Sequence, residues 1–127
     1  MYRILAEGTF DSPRIILDEE IGFLEIRGNS TMEDPMQFYK DLAVHLSKLA
    51  NSQIISQVNI VLGHFNTSSS KWIYHILRTF EGIYKRTGQM EINWYYEDDD
   101  ETIAEAGEDY QSLIKVPFYL IEMEPEI

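Results

Sequence analysis

Two patterns meet without a linker in the middle of the chain, and their junction restricts the fold more than any other feature. Residues 54–65 are the most apolar segment and end in Val58-Asn59-Ile60-Val61-Leu62-Gly63-His64-Phe65. A short apolar run that scarcely alternates predicts a central strand buried on both faces. The hydroxyl-rich run Asn66-Thr67-Ser68-Ser69-Ser70-Lys71 follows at once, and beyond it Trp72, Ile73, Ile76, Leu77, Phe80, Ile83 and Tyr84 recur at helical spacing. The next segment, Met90 to Tyr96, alternates, with Ile92, Trp94 and Tyr96 on one side. Strand, helix and strand in this order imply parallel neighbours joined by a right-handed crossover.

The flanks extend the plan. Arg14-Ile15-Ile16-Leu17 and residues 21–27 read as an antiparallel hairpin, with Leu24 and Ile26 on one face and Glu25 and Arg27 on the other. A strand near Arg3 and Ala6 is weakly marked, and Gly28-Asn29-Ser30 reads as the end of the hairpin. Asp34-Pro35-Met36-Gln37 has the chemistry of a helix start, with Asp34 as cap and Gln37 completing a capping box. Phe38, Tyr39, Leu42, Leu46, Leu49 and Ala50 then form a helical stripe, and Asn51-Ser52 stops it. Lys85-Arg86 and Gly88 mark the C-terminal end of the middle helix. A third helix carries Ile103, Ala106, Tyr110, Leu113 and Ile114 on one face, with Gly107 inside it, and residues 117–121 make a last strand before a polar tail from Glu122 to Ile127. The expectation is one α/β domain over residues 1–127, a mixed sheet of about five strands with three helices packed on it.

Composition removes several function classes. Without cysteine, the chain cannot use disulfides, thiolate zinc sites or a cysteine nucleophile. Ten Lys and Arg face 22 Asp and Glu, a formal net charge of -12, so the surface repels nucleic acid and anionic lipid. A hydrophobic fraction of 44% is too high for a disordered acidic chain. The opening residues are too polar for a signal peptide, and no apolar run approaches the roughly 18 residues of a membrane span. A cytoplasmic protein is expected.

Chemistry can sit in two places. At the strand-to-helix junction, Asn, Thr and Ser are preferred N-caps. One cap needs one such residue, and here five stand in a row. If Asn66 caps, the Thr67 hydroxyl is left to face solvent at the electropositive helix end, where a phosphate could recruit Lys71 one turn on. Capping alone and a functional hydroxyl both account for the run. The second place is the acidic run Glu97-Asp98-Asp99-Asp100-Glu101. It reads as a solvated helix start with Asp98 and Glu101 as a capping pair, as a magnesium site, or as a docking surface for a basic groove. No nucleophile elbow, Walker loop or dinucleotide fingerprint is present. His64 follows Leu62 by two, so it continues the apolar face and is expected to be at least partly buried; His45 and His75 read as structural.

The segments Leu24-Glu25-Ile26-Arg27-Gly28-Asn29-Ser30, Phe65-Asn66-Thr67-Ser68-Ser69-Ser70-Lys71, Trp94-Tyr95-Tyr96-Glu97-Asp98-Asp99-Asp100-Glu101, Gly107-Glu108-Asp109-Tyr110 and Pro117-Phe118 occur in this order. The sequence resembles the SiaC family of bacterial regulatory phosphoproteins over nearly its whole length. The resemblance implies a fold like that of STAS-type anti-sigma-factor antagonists and a regulatory rather than catalytic role. It also implies a kinase that phosphorylates Thr67, with Ser68 and Ser69 as lesser acceptors, and a PP2C-type phosphatase that reverses this. The unphosphorylated form would activate a client such as a diguanylate cyclase, in c-di-GMP signalling and biofilm formation. The expected partner-binding residues are Asn66, Thr67, Ser68, Ser69, Lys71, Glu97, Asp98 and Asp99, with no cofactor. The alternative from a different class is a small metal- or phosphoester-binding enzyme built on the acidic run and His64.

Overall fold

Three consecutive strands are followed by alternating helices and strands, six strands and three helices in all, in the computed structural model, which describes residues 1–124. The strands are β1 (Tyr2–Glu7), β2 (Arg14–Asp18), β3 (Phe23–Ser30), β4 (Gln57–Phe65), β5 (Glu91–Glu97) and β6 (Phe118–Met123), and the helices are α1 (Met36–Leu49), α2 (Thr67–Thr87) and α3 (Glu101–Leu113). All six strands lie in one sheet in chain order. β1, β2 and β3 are antiparallel, and β3 to β6 are parallel neighbours. Each parallel step needs a crossover, and α1, α2 and α3 supply them in turn. Because the strand order never reverses, right-handed crossovers put all three helices on the same side of the sheet.

That side holds the core. Leu24 and Ile26 of β3, Val58, Ile60 and Leu62 of β4, Ile92 and Trp94 of β5 and Phe118 of β6 pack with Tyr39, Leu42 and Leu46 of α1, Ile76, Leu77 and Phe80 of α2, and Ile103 and Tyr110 of α3. The opposite side is not covered by helices. One cross-strand row there reads Ile16, Glu25, Asn59, Asn93, Tyr119. Asn93 Nδ2 donates to Asn59 Oδ1 at 3.0 Å. β4 is therefore sheltered by helices on one face only, contrary to the two-sided burial expected of it. Its second face is polar at Gln57 and Asn59, and the apolar Val61 hides that alternation in the sequence.

Other expectations shift in detail. The sheet has six strands rather than about five, because β1 forms a full edge strand against β2. β3 continues through Gly28-Asn29-Ser30 instead of ending there, and Glu122 and Met123 belong to β6. The residues 125–127 of the expected tail lie outside the described residues. The α1 start makes no capping box: Pro35 occupies the cap position without a side-chain bond, and Gln37 turns to Asp41 at 2.8 Å. Leu113 does not join the α3 stripe but lies 53% exposed.

α2 is the longest element, and its ends explain its length. Asn66 starts it in extended conformation and caps it, with its side chain accepting from Ser69 N–H at 2.9 Å. Gly88 ends it in the left-handed region at φ 67°, accessible to glycine without a Cβ clash, with Lys85 and Arg86 in the last turn beside the negative helix end. In α3, Gly107 lets the helix approach Trp94. A Cβ there would stand 2.4 Å from Trp94 Cδ1 and 2.8 Å from Leu120 Cδ2. The same indole donates its Nε1–H to the Ile103 carbonyl at 2.9 Å, so strand and helix are locked at one depth.

Candidate functional site

The C-terminal ends of the parallel strands form one edge of the sheet, and α2 and α3 both begin there. β4 delivers Asn66 and Thr67 to this edge, and its neighbour β5 delivers Glu97, Asp98 and Asp99. The two regions singled out in the sequence thus leave adjacent strands on the same side of the molecule.

Asn66 is consumed by structure. Besides capping through Oδ1, it donates Nδ2–H to the Met32 carbonyl at 3.1 Å, and its backbone N–H bonds the Ser30 carbonyl at 3.2 Å. These three bonds fix the entry to α2. Thr67 then occupies the first helical position, and Thr67 and Ser68 are both exposed. Their backbone N–H groups belong to the first turn, where no preceding carbonyl is in reach. Ser69 is fully buried, with its Oγ lacking a hydrogen-bond partner in the protein. That corrects its expected place among the acceptors and contacts: the folded chain does not present it. Ser70 donates its hydroxyl to the Thr67 carbonyl at 2.8 Å. Lys71 is exposed, with its ammonium 5.4 Å from the centre of the Trp72 ring, and Lys40 of α1 stands 5.8 Å from the same ring.

Two tyrosines brace this turn from either side. Tyr110 of α3 donates its hydroxyl to the Ser70 carbonyl at 2.9 Å. Tyr39 of α1 shares a 2.6 Å hydrogen bond with Ser30 Oγ. Burial pushes the Tyr39 phenol up to about 12, against a smaller opposing effect of that bond. Tyr110 is also raised, mainly by burial and further by the nearby Tyr39 and Asp109 charges. Both phenols stay protonated at neutral pH, and Tyr110 acts as a fixed donor to the Ser70 carbonyl.

The acidic run behaves differently from its sequence reading. Asp100, not the Asp98 and Glu101 pair, caps α3, accepting from Ile103 N–H at 3.0 Å. Asp98 and Asp99 are exposed, and Glu97 is half-buried. Glu97 and Asp100 line a cleft of about 240 Å³ with Arg27, Asn29 and His64. His64 is exposed rather than continuing the buried face, and its backbone N–H bonds Asn29 Oδ1 at 3.0 Å. The cleft does bring His64 to the acidic run, as the enzyme alternative requires. Among the described residues, though, no three His, Asp or Glu side chains gather as metal ligands.

A model of the SiaC family of regulatory phosphoproteins matches residues 6–123. The chain belongs to the SiaC family. It is 27% identical over 112 residues to an uncharacterized protein of Pseudomonas aeruginosa strain UCBPP-PA14, covering 87% of this chain and 89% of that one. Its fold matches apo-SiaC from Pseudomonas aeruginosa with a TM-score of 0.78 at 23% identity, over 94% of this chain and 98% of the other. It also matches the structure of the diguanylate cyclase SiaD in complex with its activator SiaC, from the same organism, with a TM-score of 0.80 at 22% identity, over 93% and 98% of the two chains.

For a SiaC-family chain, the geometry sorts the predicted residues into roles. Thr67, Ser68, Lys71, Asp98 and Asp99 are presented to solvent, Asn66 and Asp100 hold helix starts, and Ser69 faces inward. Sequence reasoning missed Tyr39, Tyr110 and Asn29, whose partners lie 9, 40 and 35 positions away. No local pattern marks such contacts. Among the described residues no helix is long and apolar enough to cross a membrane.

Proposed function

We propose that this chain is a phosphorylation-controlled adaptor whose unphosphorylated form binds and activates a diguanylate cyclase, with a kinase and a PP2C-type phosphatase acting on Thr67. The observation that carries this reading is the division of labour at the start of α2: Asn66 makes the cap, so the exposed Thr67 hydroxyl has no structural duty. A phosphate on Thr67 would add a charge of about -1.5 to -2 beside unpaired helix N–H groups. Lys71, one turn on, can reach it. The helix end stabilises the modified state, so the modification need not unfold anything.

The switch is electrostatic. A charge of about -2 placed roughly 8 Å from one partner carboxylate costs about 1–4 kcal/mol for effective dielectric constants between about 80 and 20. Since a tenfold loss in affinity corresponds to about 1.4 kcal/mol, one such contact gives a change of about one to three decades. Asp98 and Asp99 at the same edge make the surface more negative still. The test is calorimetric titration of the cyclase with Thr67→Ala and with enzymatically phosphorylated protein. Thr67→Ala should bind like the unmodified chain, and the phosphorylated form at least tenfold more weakly. Equal affinities would remove the reading.

A further inference from the structure

Charge is distributed very unevenly over this fold. Six of the ten cations, Lys40, Lys48, Lys71, Arg78, Lys85 and Arg86, lie on α1 and α2, with only two of the 22 acids, Asp41 and Glu81. Four cations and twenty acids are left for the rest of the chain. Glu81 is 3% exposed, and its carboxylate accepts the Lys115 backbone N–H while Arg78 and Lys85 sit at its mouth, 3.1 and 3.9 Å away. Glu81 therefore offsets one of these two cations, and the trio keeps a net positive charge. The connecting segments at the far end, residues 50–56 and 88–90, contain no acid.

The two helices lie side by side and point the same way. Lys40 near the start of α1 meets Trp72 near the start of α2, and Asn51 just after α1 accepts from Arg86 in the last turn of α2 at 3.1 Å. Lys40, Lys71, Arg78 and Arg86 therefore mark a basic strip along the pair, about 22 Å long from Lys71 to Arg86. A groove of about 480 Å³ opens along its C-terminal half, with Arg78 and Arg86 on its rim and Gly82 at its floor. A Cβ on Gly82 would meet nothing within 4 Å, so the space above it is open.

We infer that the α1–α2 face is a docking surface for an acidic helical segment of a protein partner. This rests on the adaptor reading above and names the chemistry its client must present. Charge complementarity selects the occupant. With screening over about 8 Å at physiological salt, a segment confined to the strip feels the local cations and not the acidic remainder. A nucleic acid or an anionic bilayer extends past the strip and meets the twenty acids elsewhere. A helix laid along the pair matches the strip in length and contacts the exposed Val44 with its apolar side. Thr67 stands at one end of this strip. A phosphate there draws on Lys71 and adds negative charge where the acidic segment begins, so the same modification weakens this docking.

The probe is a roughly 20-residue amphipathic helical peptide with glutamate on its polar face, titrated into isotopically labelled protein at low and physiological salt. The expected result is a set of amide shifts confined to α1 and α2, centred on Val44, Ser47 and Gly82. Affinity should fall at least tenfold in Lys48→Glu/Arg86→Glu. Gly82→Trp tests the same groove without changing charge and should also weaken binding at least tenfold. Shifts on another face, no binding, or equal or tighter binding of single-stranded DNA or of phosphatidylserine vesicles overturns the inference. Control by Thr67 phosphate of cyclase binding is read separately. If it persists while the peptide ignores this face, the adaptor reading stands and the docking surface fails; if the peptide binds here and the cyclase ignores the phosphate, the reverse holds.

Discussion

Replacing a helical glycine with alanine should have opposite effects at two positions of this chain. In an exposed helix interior, alanine is favoured over glycine by about 1 kcal/mol. Gly82 in α2 is exposed and its new methyl would touch nothing, so Gly82→Ala should stabilise the fold by about that amount. Gly107 in α3 is buried, and its Cβ would come within 2.4 Å of Trp94 Cδ1, 2.6 Å of its Nε1 and 2.8 Å of Leu120 Cδ2. Trp94 is fully buried and edge-on to Tyr110 and Phe65, so it cannot swing aside. Overpacking of this kind costs about 1–3 kcal/mol, and displacement of the indole from the Ile103 carbonyl adds about 1 kcal/mol. After the propensity gain of about 1 kcal/mol, Gly107→Ala should destabilise by about 1–3 kcal/mol. Urea unfolding followed by tryptophan fluorescence measures both variants. A similar rise in midpoint for both would show that α3 does not seat on Trp94 as described, and the placement of Tyr110 against α2 would fall with it.

Three further outcomes follow from the same geometry. Asn66→Ala removes the α2 cap and the bond to Met32 and should cost about 1–2 kcal/mol in the same assay, while Asn66→Asp keeps the cap and costs less. Tyr39→Phe leaves the buried Ser30 hydroxyl without its partner and should cost about 1–3 kcal/mol. Because the folded Tyr39 phenol titrates at about 12 against 10.0 for the free side chain, the folded state holds its proton longer. Its contribution is fully present below pH 10 and is lost as pH rises through about 12, so stability should fall across that window, and fall less steeply in Tyr39→Phe.

Much of this architecture was legible in the sequence because burial and period coincide. The α2 stripe, the hairpin of β2 and β3, and the alternation of β5 all place apolar residues on a single helix-covered face. Misreadings arose where that link breaks. Val61 is apolar on the face that helices do not cover, which made β4 look buried on both sides. β1 is an edge strand whose residues are mostly exposed, so it carries little hydrophobic signal. At the site, Asn66 as cap and Thr67 as exposed neighbour could be read locally, since both depend on positions three residues apart or fewer. The inward turn of Ser69 could not be separated from the exposure of Ser68, because one step along a helix rotates the side chain by about 100° and the sequence offers serine at both. The basic α1–α2 face is hidden by the net charge of the whole chain, and would have emerged from counting charges element by element.

The central claim is that the charge state of Thr67 decides which molecules carry a client. Phosphopeptide mapping of protein purified from its native cells, with the client-bound and free pools separated first, tests it most directly. The account predicts phosphate on Thr67 in the free pool and none on Thr67 in the client-bound pool. Equal phosphate occupancy at Thr67 in both pools, or none in either, would contradict it.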